Sequence, residues 1–155
     1  VKQDAGPVRL FAPEGTPGQY FAEFGFVSGG QRLPSSVVWT ADGDRLTPTT
    51  PVTLSRTDAN GVIYRVRFAV DEDYMITATQ SVSNGGAGAA VVQPFALIKR
   101  TSTNATLDQY VSHSGPVGVF GGTLWDPHSY EELAELGGES PEGAPDWLGF
   151  TDQYW

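Results

Sequence analysis

The sequence predicts a mainly β domain of antiparallel strands with one short helix. Three observations carry that prediction. Residues 62–82 form two strand-like runs, V-I-Y-R-V-R-F-A-V and Y-M-I-T-A-T-Q-S-V, joined by D-E-D. The chain holds 19 Gly and 11 Pro, which suits short strands and many turns. No segment of helical period separates the strand-like runs, which excludes a parallel βαβ arrangement.

In the first run Val62, Tyr64, Val66, Phe68 and Val70 share one face, with Ile63, Arg65, Arg67 and Ala69 on the other. Alternation with two arginines outside marks a strand buried on one side. In the second run Tyr74, Ile76, Ala78 and Val82 share a face, opposite Met75, Thr77, Thr79 and Ser81. Asp71, Glu72 and Asp73 form a solvated turn, making the pair an antiparallel hairpin.

The other elements follow in chain order. Residues 1–18 read as an extended segment, with Val8 to Ala12 as one edge strand. Tyr20 to Val27 brings four aromatic rings into a strand that Gly29 and Gly30 end, and Gln31 to Ser36 reads as loop. Val37 to Ala41 is a short strand before an Asp42-Gly43 turn. Pro51 opens the strand Val52 to Arg56, where a missing N–H is tolerated, and Asn60-Gly61 supplies the positive φ angles of the next turn. Ala89 to Arg100 is apolar on both faces and interrupted by Pro94, so it is expected to be covered on both sides. Residues 51–100 then make a four-stranded meander. Tyr110 to His113 and Val117 to Leu124 are strand-like. Asp126-Pro127 reads as a helix start and Gly137 as its stop, giving one helix near residues 127–136. Trp147 to Trp155 is a strand or extended segment.

Composition bounds the function. At 155 residues the chain suits one domain. A net charge of -9 argues against gripping a nucleic-acid backbone or anionic lipid. With no cysteine there are no disulfide or thiolate metal sites. The first residues do not read as a signal peptide, and no apolar run approaches the roughly 18–20 residues that cross a bilayer. The Lys-poor, Thr/Gln/Gly-rich composition leans towards an exported protein.

The residues show no reaction centre. His113 and His128 stand in no metal-ligand pattern, and Ser112 and Ser114 in no nucleophile elbow. Three adjacent acids at 71–73 converge poorly on a calcium ion. Residues 84–88 lack the G-K-[ST] ending and following helix of a phosphate loop. Asn104-Ala105-Thr106 fits the glycosylation pattern, as many triplets do by chance. Trp39, Trp125, Trp147 and Trp155 suit core packing better than stacking on a sugar.

Six stretches nevertheless follow a known family in the same order. They are F-A-P-E-G-T-P-G-Q-Y-F-A-E-F-G-F at 11–26, V-V-W-T-A-D-G-D-R-L-T-P at 37–48, V-D-E-D-Y-M at 70–75, P-F-A-L-I-K-R at 94–100, H-S-G-P-V-G-V-F-G-G-T-L at 113–124 and W-L-G-F-T-D-Q-Y-W at 147–155. Together they resemble the periplasmic domain of the YidC family of bacterial membrane protein insertases. The resemblance implies a β-supersandwich like that of galactose mutarotase, placed in the periplasm as part of an inner-membrane protein of Gram-negative bacteria. It implies no cofactor and no catalysis, because no carboxylate–histidine pair maps here. Expected partners are the Sec translocon, through SecDF and its SecF component, and nascent membrane proteins. Membrane contact falls to transmembrane helices this chain lacks, and the domain is expected to be a monomer. The resemblance places the SecF contact in residues 93–135, with Lys99, Arg100, Trp125, His128, Tyr130 and Glu131 as candidates. Residues 1–155 then read as one domain, the middle of a larger periplasmic domain with open sheet edges. The alternative is a carbohydrate-binding or sugar-epimerising β-sandwich; a third reading is a spacer between membrane helices.

Overall fold

A computed structural model describes residues 11–34, 36–100 and 113–151. These residues are mainly β. In chain order they form β1 (Tyr20–Ser28), β2 (Gln31–Arg32), β3 (Thr40–Ala41), β4 (Val52–Thr57), β5 (Val62–Val70), β6 (Ile76–Asn84), β7 (Val92–Arg100), β8 (Gly115–Phe120), β9 (Thr123–Trp125), helix α1 (Tyr130–Leu136) and β10 (Pro145–Thr151). The chain divides into two compact units, residues 22–97 and residues 1–21 with 98–155.

In the unit 22–97, one sheet has the order β3-β4-β5-β6 and a second runs β2-β1-β7. Central strand β5 realises the alternation of its sequence. Val62, Tyr64 and Val66 are buried, and they close on Phe26 of β1. The Phe26 ring lies 5.3 Å from Tyr64 and 6.4 Å from Trp39, while Phe24 meets Phe68 edge-on at 5.8 Å. Each ring removed from water stabilises by about 1.5–3 kcal/mol, so the aromatic run of β1 binds the two sheets into a sandwich.

Two polar groups tie this core to its own backbone, and a third is buried unbonded. Gln80 of β6 sits opposite Val66, on the core face, and its amide donates to the carbonyls of Gly25 (2.7 Å) and Phe95 (3.2 Å). Asp58 organises the β4–β5 turn, accepting from the N–H groups of Val62 and Asn60 and from the Tyr64 hydroxyl. Arg56 also falls on the core face, opposite Tyr64, where its Nη1 is buried without a hydrogen-bond partner.

Several expectations are corrected. The turn of the central hairpin runs to Met75: Tyr74 is 87% exposed with φ 65 instead of facing inward, and Ile76 is 46% exposed. Asp71 Oδ1 accepts from the N–H groups of Asp73 and Met75, which winds the chain once more before β6 begins. Of residues 31–36, Gln31 and Arg32 pair back onto β1 because Gly29 and Gly30, both at positive φ, close a tight hairpin. Strand 37–41 shrinks to Thr40–Ala41. The meander's fourth strand is β3, since β7 leaves to lie beside β1. Nor is the apolar run of β7 covered on both sides: its residues are exposed or partly buried.

In the unit made by residues 1–21 and 98–155 the sheet order is β10-β8-β9. The expected strand 117–124 is broken by Gly121-Gly122 into a hairpin of β8 and β9. The helix starts at Ser129 instead of Asp126, because Ser129 and Glu132 form a capping box. Residues 1–10, 101–112 and 152–155 lie outside the described residues. With them lie most of the expected strands Val8 to Ala12 and Tyr110 to His113, and the end of the last segment.

Two outcomes test this packing. A Cβ on Gly25 would stand 2.5 Å from the Phe95 ring, over which the Arg32 guanidinium also lies, 4.4 Å from the ring centroid. Gly25→Ala should therefore destabilise by roughly 1–3 kcal/mol in urea unfolding. Hydrogen bonds from the Val62 and Asn60 N–H groups and the Tyr64 hydroxyl hold the Asp58 carboxyl below its ordinary value of 3.8. The stability this gives is complete above that value and is lost as pH falls through the lower folded one. Asp58→Asn should thus flatten the acid limb of a pH series of unfolding midpoints below about pH 4.

Candidate partner-binding surface

Region 93–135 contains β7, β8, β9 and α1, and its helix is short enough to depend on its ends. Ser129 Oγ accepts from the Glu132 N–H (3.3 Å), and Glu132 Oε2 accepts from the Ser129 N–H (2.8 Å). These bonds, with a smaller contribution from His128, hold the Glu132 carboxyl below its usual value. Gly137 closes the helix in the left-handed conformation at φ 72, which a side chain would strain. Seven residues cannot hold a helix alone.

Tyr130 anchors it. Its hydroxyl donates to the Thr151 carbonyl at 2.9 Å, and its ring lies 6.1 Å from Phe150, so the first helical residue is fastened to β10. The Arg100 guanidinium lies 5.6 Å from the Tyr130 ring and 5.7 Å from the Tyr20 ring, and its Nη1 points to the Tyr130 hydroxyl at 3.4 Å. A cation placed near two aromatic rings is held by both quadrupoles.

A second cluster brackets the helix. His128 Nε2 meets Glu139 Oε2 at 2.8 Å, joining the residue before the N-cap to one beyond the C-cap. The Trp125 ring lies 6.4 Å from His128 and 6.1 Å from Phe120, edge-on to each. His113 also works structurally: its Nε2 is 3.1 Å from the Pro116 carbonyl oxygen.

The six candidates therefore separate. Arg100 and Tyr130 come together, as do Trp125 and His128, and all four spend their polar or aromatic groups within the unit. Lys99 and Glu131 are exposed. Tyr20, Glu139, Phe150 and Thr151, which position these groups, escaped the sequence reading, because no spacing announces a contact made only when β10 pairs with β8. An apolar row also appears: Leu124 and Trp147, 57% and 51% exposed, flank Val119 on one face of β9-β8-β10. Among the described residues no three His, Asp or Glu side chains converge as metal ligands, and no helix is long and apolar enough to cross a membrane.

Anchoring and docking roles are separable by substitution. Tyr130→Phe should cost about 1 kcal/mol of stability in urea unfolding, from the lost hydroxyl bond. Glu131→Ala should change it by less than about 0.5 kcal/mol, as exposed sites do.

Comparison with known proteins agrees along the whole chain. The family model of the YidC periplasmic domain matches residues 1–155. The membrane protein insertase YidC of Zymomonas mobilis is 35% identical over 158 residues, covering 100% of this chain and 27% of that protein. Those of Nitrobacter hamburgensis and Methylobacterium nodulans are 37% and 38% identical, covering 96% and 94% of the chain. The chain thus spans about a quarter of the length of these relatives. No solved structure matches. A mainly β, antiparallel chain matched from end to end belongs to the YidC periplasmic domain family, the periplasmic part of an inner-membrane insertase.

Proposed function

We propose that this chain is a non-catalytic accessory of a YidC-type insertase, assisting insertion and folding of nascent inner-membrane proteins by contacting SecDF. The observation that carries the reading is how its polar groups are used. Gln80, Asp58, Ser129, Glu132, Tyr130 and Thr151 bond to the chain's own backbone. Large apolar side chains also face water, including Leu124, Leu136, Trp147 and Leu148, each at least half exposed. Apolar surface of that kind favours contact with another chain.

Of the six candidates within 93–135, Lys99 and Glu131 are the exposed groups that would meet SecF, while Arg100, Trp125, His128 and Tyr130 shape the surface beneath. Residues 1–155 are read as one piece of a larger periplasmic domain. Lys99→Glu with Glu131→Lys should weaken capture of the SecDF periplasmic domains by roughly fivefold at low salt, since exposed pairs give 0.2–1 kcal/mol each. Binding unchanged by the double reversal, with the fold intact by circular dichroism, would remove the SecF assignment. Saturable quenching of tryptophan fluorescence by a hexose would instead favour the carbohydrate-binding reading.

A further inference from the structure

We infer that the open edge of β6 takes up an extended polypeptide as an added antiparallel strand, one that alternates apolar with polar side chains and ends in basic residues. The inference concerns a surface outside region 93–135, so it stands or falls separately from the SecF contact.

Strand β6 ends the sheet β3-β4-β5-β6, and no described strand pairs with its far side. The register identifies its free groups. Gly85 N–H donates to the Gly61 carbonyl, and Asp71 N–H to the Met75 carbonyl, at the two ends of one continuous pairing. Hydrogen-bonded pairs alternate along an antiparallel ladder, so the bonded pairs between these ends are 63/83, 65/81, 67/79 and 69/77. Ile76, Ala78, Gln80 and Val82 therefore aim their N–H and C=O groups away from β5. Their side chains lie on the face shared with Phe68, Val66 and Tyr64, where the apolar residues of an added strand would continue the core. The incoming polar residues would lie beside Thr77, Thr79 and Ser81.

Other terminal strands carry features that discourage pairing. β2 and β3 have two residues each and β9 three; β7 contains Pro94 and Lys99; β10 opens with Pro145 and Asp146. β6 has nine residues, I-T-A-T-Q-S-V-S-N, with no charge, proline or glycine. Ile76 and Val82 on it are 46% and 38% exposed.

The hairpin tip selects the occupant. Tyr74 adopts φ 65, a conformation costly for a bulky residue, which sets its ring in solvent next to Met75, itself 66% exposed. Asp71 spends its carboxylate on the turn, whereas Glu72 and Asp73 are exposed. On a chain of net charge -9 these acids favour a basic neighbour. In antiparallel addition the C-terminal end of the incoming segment lies beside Ile76 and this tip. Its basic residues belong there.

The probe is a fluorescein-labelled octapeptide alternating valine and threonine, extended by two C-terminal lysines, read by anisotropy. It is titrated into the 155-residue chain and into the full-length protein in nanodiscs. Saturable binding to both is expected, about fivefold weaker when the lysines move to the N-terminus. N-methylating the peptide amides that face β6 should weaken binding more than about tenfold, and methylating the alternate set should not. Ala78→Pro removes an outward N–H without touching a bond to β5, so it should preserve the thermal midpoint and lose about tenfold in affinity. If that variant does not fold, the methylated pair decides on the unaltered chain. No binding, or equal loss from both methylation patterns, overturns the inference. So does binding confined to the 155-residue chain, which would show a segment of the longer protein on the edge. A concentration-dependent dimer that the peptide fails to dissociate would place a second copy there and overturn it equally.

Discussion

The contact of Phe26 with Tyr64 sets the terms for everything in the unit 22–97. Both side chains are almost completely removed from water, and they come from different sheets. Tyr64 reaches its position only if β5 keeps its register, since a shift of one residue would turn Arg65 inward and Tyr64 outward. That register is fixed locally. Asp58 accepts from the Val62 N–H and the Tyr64 hydroxyl, so one carboxylate sets both where β5 starts and where its largest buried ring points. The turn and the core are thus one device, and a change at either is felt at both.

Gln80 shows why a polar residue is kept on an otherwise apolar face. An unpaired buried amide would cost roughly 1–3 kcal/mol, but its bonds to the Gly25 and Phe95 carbonyls join β6 to β1 and β7. The glycine at 25 leaves space for the Phe95 ring. Arg56 behaves differently: its Nη1 is buried and unbonded, although its charge helps keep Asp58 ionised.

What could be read from the sequence follows from the range of the forces involved. Strand β5, the turn at Gly61, the Gly137 stop and the antiparallel pairing all rest on neighbours a few residues apart, and they stand where periodicity and turn chemistry put them. Of the pair expected at positive φ, only Gly61 adopts it, and Asn60 does not. The inward placing of Tyr74 failed because alternation was carried through a turn that Asp71 extends by hydrogen bonding. The helix start was displaced by three residues because two overlapping signals competed, and the reciprocal bonds of Ser129 and Glu132 satisfy two backbone donors where Asp126-Pro127 satisfies fewer. The departure of β7 to the other sheet depends on Gly25 and Phe95 fitting together across seventy residues, which no local pattern encodes. The candidate surface was half legible for the same reason: its residues were named, but not which of them hold the helix.

That distinction alters what a partner would meet. Tyr130 joins α1 to β10, and the His128–Glu139 pair spans the helix, so the acidic helix is presented as a braced unit although it buries no residue of its own. A braced surface loses little conformational entropy on binding. In the proposed role, exposed acids such as Glu131 would act through charge on the rate and specificity of encounter. The apolar row of Leu124 and Trp147 supplies area that water leaves readily. Contact energy of this kind is spread over backbone-supported faces instead of being concentrated at one reactive group, which is what an accessory domain of an insertase needs if its partners are other polypeptides.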